Sequence, residues 1–456
     1  MRKRSMIRAV GLSALVIATV GATSLGTAGA RPSDPNGLTT VPSRAGGAVS
    51  RVPGAPIATR PNVNVTNTGG AQSETTVAVD PTNQLHILTA SNDLATTTHI
   101  YESTDGGRTW AEAGLDLGGT FCYDPWLDFN LSGDAFFAYE CSSGTIQRVA
   151  YRKAGETSWT KINLTNAGGF PDRDMIVTDD TPTSPFFNSV YLGYDDAAAN
   201  NTAYVLYSRT GFSNYLRSQA INDSSRTIGL NASVAPNGDV YAAWLDFDGK
   251  KVKVDRSEDG GATWSTDNVA HTYRLNTPQF FISIPPQPDR GIVPMVFSDV
   301  APAGTPHAGR LYVTYTDKSV TTADTDVFVV FSDDGGETWS PEVKVNDDTV
   351  DAYQFHPSIS VSPKGVVGLS FYDTRNDPND EKTDQYIAFS QDGVSWSPNV
   401  KITTAQSDES GSGDPNDYGD YQGLDAAGRG LFQAVWTDSR PGNLAEEMYS
   451  SRVARI

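Results

Sequence analysis

Residues 103–110 read STDGGRTW, residues 257–264 read SEDGGATW and residues 332–339 read SDDGGETW. Three near-copies of one eight-residue string mark internal repetition, and repetition has to be read before any single element. An alternating, strand-like stretch precedes each copy: HIYES, VKVDRS and VFVVFS. Weaker copies keep the same frame. QRVAYRKAGETSW retains Gly155 and Trp159, AYVLYSRTGFS retains Ser208 and Gly211, and QYIAFSQDGVSW retains Ser390, Asp392, Gly393 and Trp396. The chain closes on EMYSSRVARI, the same strand without its string.

Each of these seven occurrences follows a second regular unit, two short strands joined by a turn. TVAVDPTNQLHILTASND, PWLDFNLSGDAFFAYE and ASVAPNGDVYAAWLD are examples, and Pro-Asn-Gly and Ser-Gly at their centres suit tight strand reversals. Strand, turn, strand, loop, strand, string and outer strand make four antiparallel strands. Repeated radially, such units build an all-β propeller. Seven hairpins predict seven blades, with six the alternative if the third unit is misread. The seventh unit runs out after its third strand, so PNVNVTN (61–67) is expected to supply the missing outer strand and remove the open edge. The repeated string falls at the turn between third and fourth strands. There Asp bonds backbone amides, Gly-Gly supplies positive φ and Trp anchors the loop.

The string resembles the Asp-box, or BNR repeat, SxDxGxTW. That motif occurs in sialidases, in other secreted glycan-active enzymes and in some non-enzymatic propellers. The resemblance covers residues from about 70 to 456 and implies the fold far more than an activity. Sialidases also carry an Arg-Ile-Pro motif ahead of the first box. None precedes it here, and FISIPP holds Ser283 where the Arg would stand.

The start of the chain reads as a secretory signal peptide over residues 1–30. MRKRSMIR is basic, AVGLSALVIATV is apolar but too short to span a bilayer, and Ala28-Gly29-Ala30 offers a cleavage site. Residues 31–62, rich in Pro, Gly, Ser and Thr, read as a flexible leader. Residues 63–456 then form one propeller domain, expected to be secreted and monomeric. With 34 basic against 54 acidic residues the net charge is −20, which argues against nucleic acid or an anionic membrane as partner. Cys122 and Cys141 flank one predicted hairpin, so a disulfide is expected inside the second blade.

Strand polarity gathers the ends of second strands and the starts of first strands on one face, opposite the boxes. The second strands end in Asp93, Glu140, Asp195, Asp246, Asp317, Asp373 and Asp438. The first strands begin with Glu74, Asp124, Asp172, Arg173, His356, Asp420 and Tyr421. Tyr372, Trp436 and Trp244 lie just before three of the terminal aspartates and could offer ring faces to a sugar. FYDTRND and VWTDSRP place Arg375 and Arg440 two residues beyond Asp373 and Asp438, where a guanidinium fork would match a carboxylated sugar. A local Asp–Arg pair within each blade explains the same spacing.

These residues predict an extracellular carbohydrate partner, anionic if the arginines serve as carboxylate forks. The favoured expectation is a sialidase-like glycoside hydrolase using Asp373, Asp438, His356, Tyr421 and Asp124 for chemistry. Arg375, Arg440, Arg173, Tyr372, Trp436 and Trp244 would then bind substrate. A polysaccharide lyase built on His356 with Tyr418 or Tyr421, and a non-catalytic binding propeller, stay open beside it. No cofactor is expected. Calcium is compatible with the many aspartates, but DPNDYGD at 414–420 departs from EF-hand spacing, and no metal motif is present.

Overall fold

The computed structural model describes residues 57–118, 121–141, 146–165, 167–275, 282–412, 415–428, 430–440 and 446–455. The signal peptide and most of the leader lie outside them. Seven sheets radiate from one axis, each a blade in which neighbouring strands run antiparallel. The innermost strands are Gln72–Val79, Cys122–Phe129, Pro171–Thr178, Thr227–Val234, Phe297–Val300, Gln354–Val361 and Gly423–Ala426, and they define blades one to seven in order. The count of seven follows the sequence repeats. Among the described residues no helix is long and apolar enough to cross a membrane.

Second strands such as Val240–Asp246, VYAAWLD, are buried along their whole length. Adjacent blades cover both of their faces, so the outward-polar half of the usual strand alternation is lost. Blade seven is completed from the other end of the chain. Ile57–Thr59 pairs with Glu447–Arg455 in the register Ile57↔Arg455, and Val63–Asn64 adds to the same strand. Among the described residues, strand pairing in blade seven thus reaches back to Ile57.

The boxes form the turns expected of them. In the first, Ser103 Oγ donates to Asp105 Oδ1 (2.9 Å) and accepts from Gly107 N (2.9 Å). Asp105 also accepts Thr109 N and Oγ1 at 3.0 and 2.8 Å. Gly106 and Gly107 stand at φ of 77° and 81°, which only glycine adopts without strain. Blades are joined near the axis by a second device. Asp128, Asp299 and Asp425 each accept a backbone amide from the next blade, from Thr178, Val361 and Val79, at 2.6–2.7 Å. These three face a partly open axial cavity of about 160 Å³, lined by every blade. Across the axis Trp126 stacks on Phe297 (ring centroids 6.1 Å) and meets Tyr421 (5.4 Å), forming an aromatic plug.

Candidate functional site

On the face opposite the boxes, the first strands of five blades share a bulge. Register shifts fall between Ser73 and Thr76, Tyr123 and Trp126, Asp172 and Met175, Ile228 and Asn231, and Phe355 and Ser358. The residue inside each bulge is left-handed: Glu74 (φ 56°), Asp124 (50°), Arg173 (60°), Gly229 (65°) and His356 (47°). A bulge leaves one residue without a cross-strand partner and re-aims its side chain. Left-handed backbone is unfavourable for Glu, Asp, Arg and His, and such strain concentrates at functional sites. Four blades therefore hold a charged or titratable side chain at the same axial station, and the fourth blade holds glycine.

Asp420, arriving from blade seven, ties this station together. It pairs with Arg173 and receives a two-pronged bond from Arg290, Nε to Oδ1 at 2.9 Å and Nη2 to Oδ2 at 2.6 Å. Arg290 Nη2 also reaches Glu74 Oε1 at 3.4 Å, and Asn92 donates to the other Glu74 oxygen. Arg290 belongs to a hairpin, Ile282–Ile284 with Gln287–Ile292, that lies outside the blade frame. This hairpin folds over the axis: Asp417 accepts the amides of Asp289 and Arg290 at 3.0 and 2.9 Å, and Gln287 donates to Gly419 O at 2.9 Å. Glu74, Asp124, Arg173, His356 and Asp420 are all buried beneath it.

Proton affinities diverge within this network. Burial, then the neighbouring Asp124 and Asp420, push Glu74 well above the usual carboxylate range despite Arg290. Burial would raise Asp420 too, but Arg173 and Arg290 overcome it and hold that carboxyl below its ordinary value. The two carboxyls are thus pushed in opposite directions, the arrangement used by enzymes that run acid and base chemistry from two carboxyls. Burial drops His356 to about 4, leaving it neutral, with Nε2 3.3 Å from Gln287 Oε1. Tyr421 is pushed up by burial and donates to Pro125 O at 3.3 Å.

Asp124, Arg173, His356 and Tyr421 thus meet at the axis as their strand positions predict. The aspartate-arginine pairs take a local role instead. Arg375 Nη2 binds Asp373 at 2.6 Å, and its guanidinium lies 4.3 Å over Tyr386. Arg440 binds Asp438 at 2.6 Å and lies 3.9 Å over Tyr449. Spacing of two lets the side chain fold back onto its own aspartate, which occupies the fork meant for a sugar. Tyr372, Trp436 and Trp244 are buried between blades. Tyr372 donates to Thr437 O (3.0 Å) and Trp436 to Asp438 (2.9 Å), so no ring face is open to a sugar. The expected disulfide is present, joining Cys122 and Cys141 across the strand ends that carry Asp124 and Glu140.

Residues 330–341, which contain the whole third box, match the BNR/Asp-box repeat family. The chain is a seven-bladed Asp-box propeller. A comparison with curated protein sequences finds no match. Among solved structures, this propeller resembles a Dyadobacter fermentans protein of unknown function (12% identity, 89% of this chain and 100% of that one, TM-score 0.48). It also resembles YCF48 bound to a D1 peptide (14%, 89% and 98%, TM-score 0.50) and a Hadza microbial sialidase (16%, 66% and 63%, TM-score 0.44). These likenesses concern the fold.

Proposed function

We propose that this Asp-box propeller is secreted and hydrolyses an extracellular glycan at its axial station. The observation that carries the reading is the pair Glu74 and Asp420, two carboxyls held by one guanidinium, the first pushed up by burial and the second held down by Arg173 and Arg290. Glu74 would donate its proton to the leaving glycosidic oxygen. Asp420 would serve as the ionised partner, either activating water or attacking the anomeric carbon. The hairpin bearing Arg290 has to lift for substrate to enter. Asp420 already fills the forks of Arg173 and Arg290, so a carboxylated sugar must displace it, whereas a neutral sugar need not.

A lyase draws less support, because burial raises both Tyr418 and Tyr421 and makes a tyrosinate base costly. Burial of the whole station favours one other reading, an axial lock in a propeller that binds its partner elsewhere. Incubation with sialylated, uronate-containing and neutral glycans, followed by mass spectrometry, separates these. Products heavier by one water support hydrolysis, and Glu74→Gln should then lower kcat about 100-fold or more. Absence of product from every class would leave the lock.

A further inference from the structure

Beside the axial pair lies a second group of carboxylates to which that chemistry assigns nothing. Asp124 and Glu140 come from the first and second strands of blade two, and Asp172 from the first strand of blade three. One oxygen from each lies within 4.8 Å of the others, and all three residues are buried. Among the described residues Asp172 has one cation nearby, Arg173 Nη1 at 3.9 Å, and that guanidinium also pairs with Asp420. Glu140 Oε1 and Asp172 Oδ1 meet no hydrogen-bond donor.

Two further buried side chains point to a missing partner. Asp174, 1% exposed, has neither oxygen in a well-formed hydrogen bond, and its field acts on Glu140 more strongly than that of any other charge. Gln147, fully buried, sits opposite Glu140 in the strand pairing, and its amide reaches Asp174 and draws that carboxyl down, though neither end of the amide makes a bond of full geometry. Buried carboxylates without donors or counter-charges are strongly unfavourable, so such a group needs protons or a cation.

We infer that Asp124, Glu140 and Asp172, with Asp174 and the Gln147 amide oxygen alongside, form a divalent-cation site joining blades two and three. The donors are all oxygen, which selects a hard ion and disfavours zinc or copper. Oxygens on opposite sides of calcium, at 2.3–2.6 Å each, are separated by about 4.6–5.2 Å, whereas magnesium holds them at about 4.0–4.2 Å and prefers to keep its waters. The separations here, all within 4.8 Å, admit either ion, and calcium is favoured because the group is a buried cage of protein oxygens whereas magnesium keeps its waters. Arg173 lies between two of the contributing residues, so the ion would also fix the strand that aims Arg173 at the axis.

The test uses the full secreted chain, stripped with EDTA and titrated with calcium by calorimetry, with melting temperature read in parallel. One calcium per chain and a calcium-dependent rise in melting temperature are expected, both weakened about 10-fold or more in Glu140→Gln and Asp172→Asn. If those variants fail to fold, Glu140→Asp keeps the charge and shortens the reach, and should bind more weakly than the wild type. No binding by the wild type at millimolar calcium overturns the inference, as does wild-type affinity in the folded variants. Neither readout uses turnover, so a failed hydrolysis assay leaves this site standing.

Discussion

The two ends of this propeller use carboxylates in opposite ways. At the box end each aspartate lies among donors. Slight burial would raise Asp105, but the amides and hydroxyls of Thr109, Ser103 and Arg108 pull it to about 2, and Thr338 with Ser332 brings Asp334 to about 2. At the axial end Glu74, Glu140, Asp172 and Asp174 are driven upward by burial and by neighbouring carboxylates, Asp124 among them in each case. Carboxyls serve as satisfied turn fasteners at the rim and as a buried, crowded group pushed toward its protonated form at the centre. Repetition marks the first use, and departure from repetition marks the second.

The sharpest way to break this contrast is Asp420→Ala. Removing the carboxylate leaves Arg173 and Arg290 buried without their partner, and about 3–5 kcal/mol of stability should be lost by denaturant unfolding. A loss near zero would mean that water enters the station freely. A pH series comes next. Burial raises Asp299 to about 7 and Asp425 to about 6, against 3.8 for an unperturbed aspartate, despite the amides they accept. The folded state therefore binds more protons than the unfolded one, and stability falls as pH rises from about 4 to 7, by ~1 kcal/mol per pH unit for each group. The box aspartates act with the other sign: their contribution is present above about pH 4 and lost as pH falls toward 2. Calorimetry should place the highest melting temperature on the acid side of neutrality. Asp299→Asn with Asp425→Asn should flatten the neutral limb and leave the acid limb in place. The smallest effect belongs to Asp334→Ala, about 1 kcal/mol, since its bonds lie at the solvent-exposed rim.

The boxes and blades were legible because their physics is local. Ser103, Asp105, Gly107 and Thr109 bond one another within seven residues, so the string contains its own explanation. The disulfide was legible for the same reason, as two cysteines opposite each other in one hairpin. Asp373 with Arg375 and Asp438 with Arg440 misled for that reason too. A short spacing signals a local contact, and a local contact leaves nothing over for a ligand. Arg290 could not be read, because its hairpin has no counterpart in other repeats and its partners lie about 130 residues away. The bulges escaped notice because Glu74, Asp124, Arg173 and His356 carry no glycine signal for a left-handed backbone. Only Gly229, at the equivalent station of blade four, hints at it.

Closure of blade seven has a temporal meaning. Ile57 pairs with Arg455, so the strand at Ile57–Thr59 waits for a partner made about 400 residues later. At about 5–20 residues per second of synthesis, that interval is on the order of 20–80 s. Throughout it blades one to six can form, but the ring stands open along one radius, exposing the flank of blade one and a strand edge at Ile57–Thr59. Exposure to wrong pairing therefore lasts through the whole interval, and completing the seventh blade ends it.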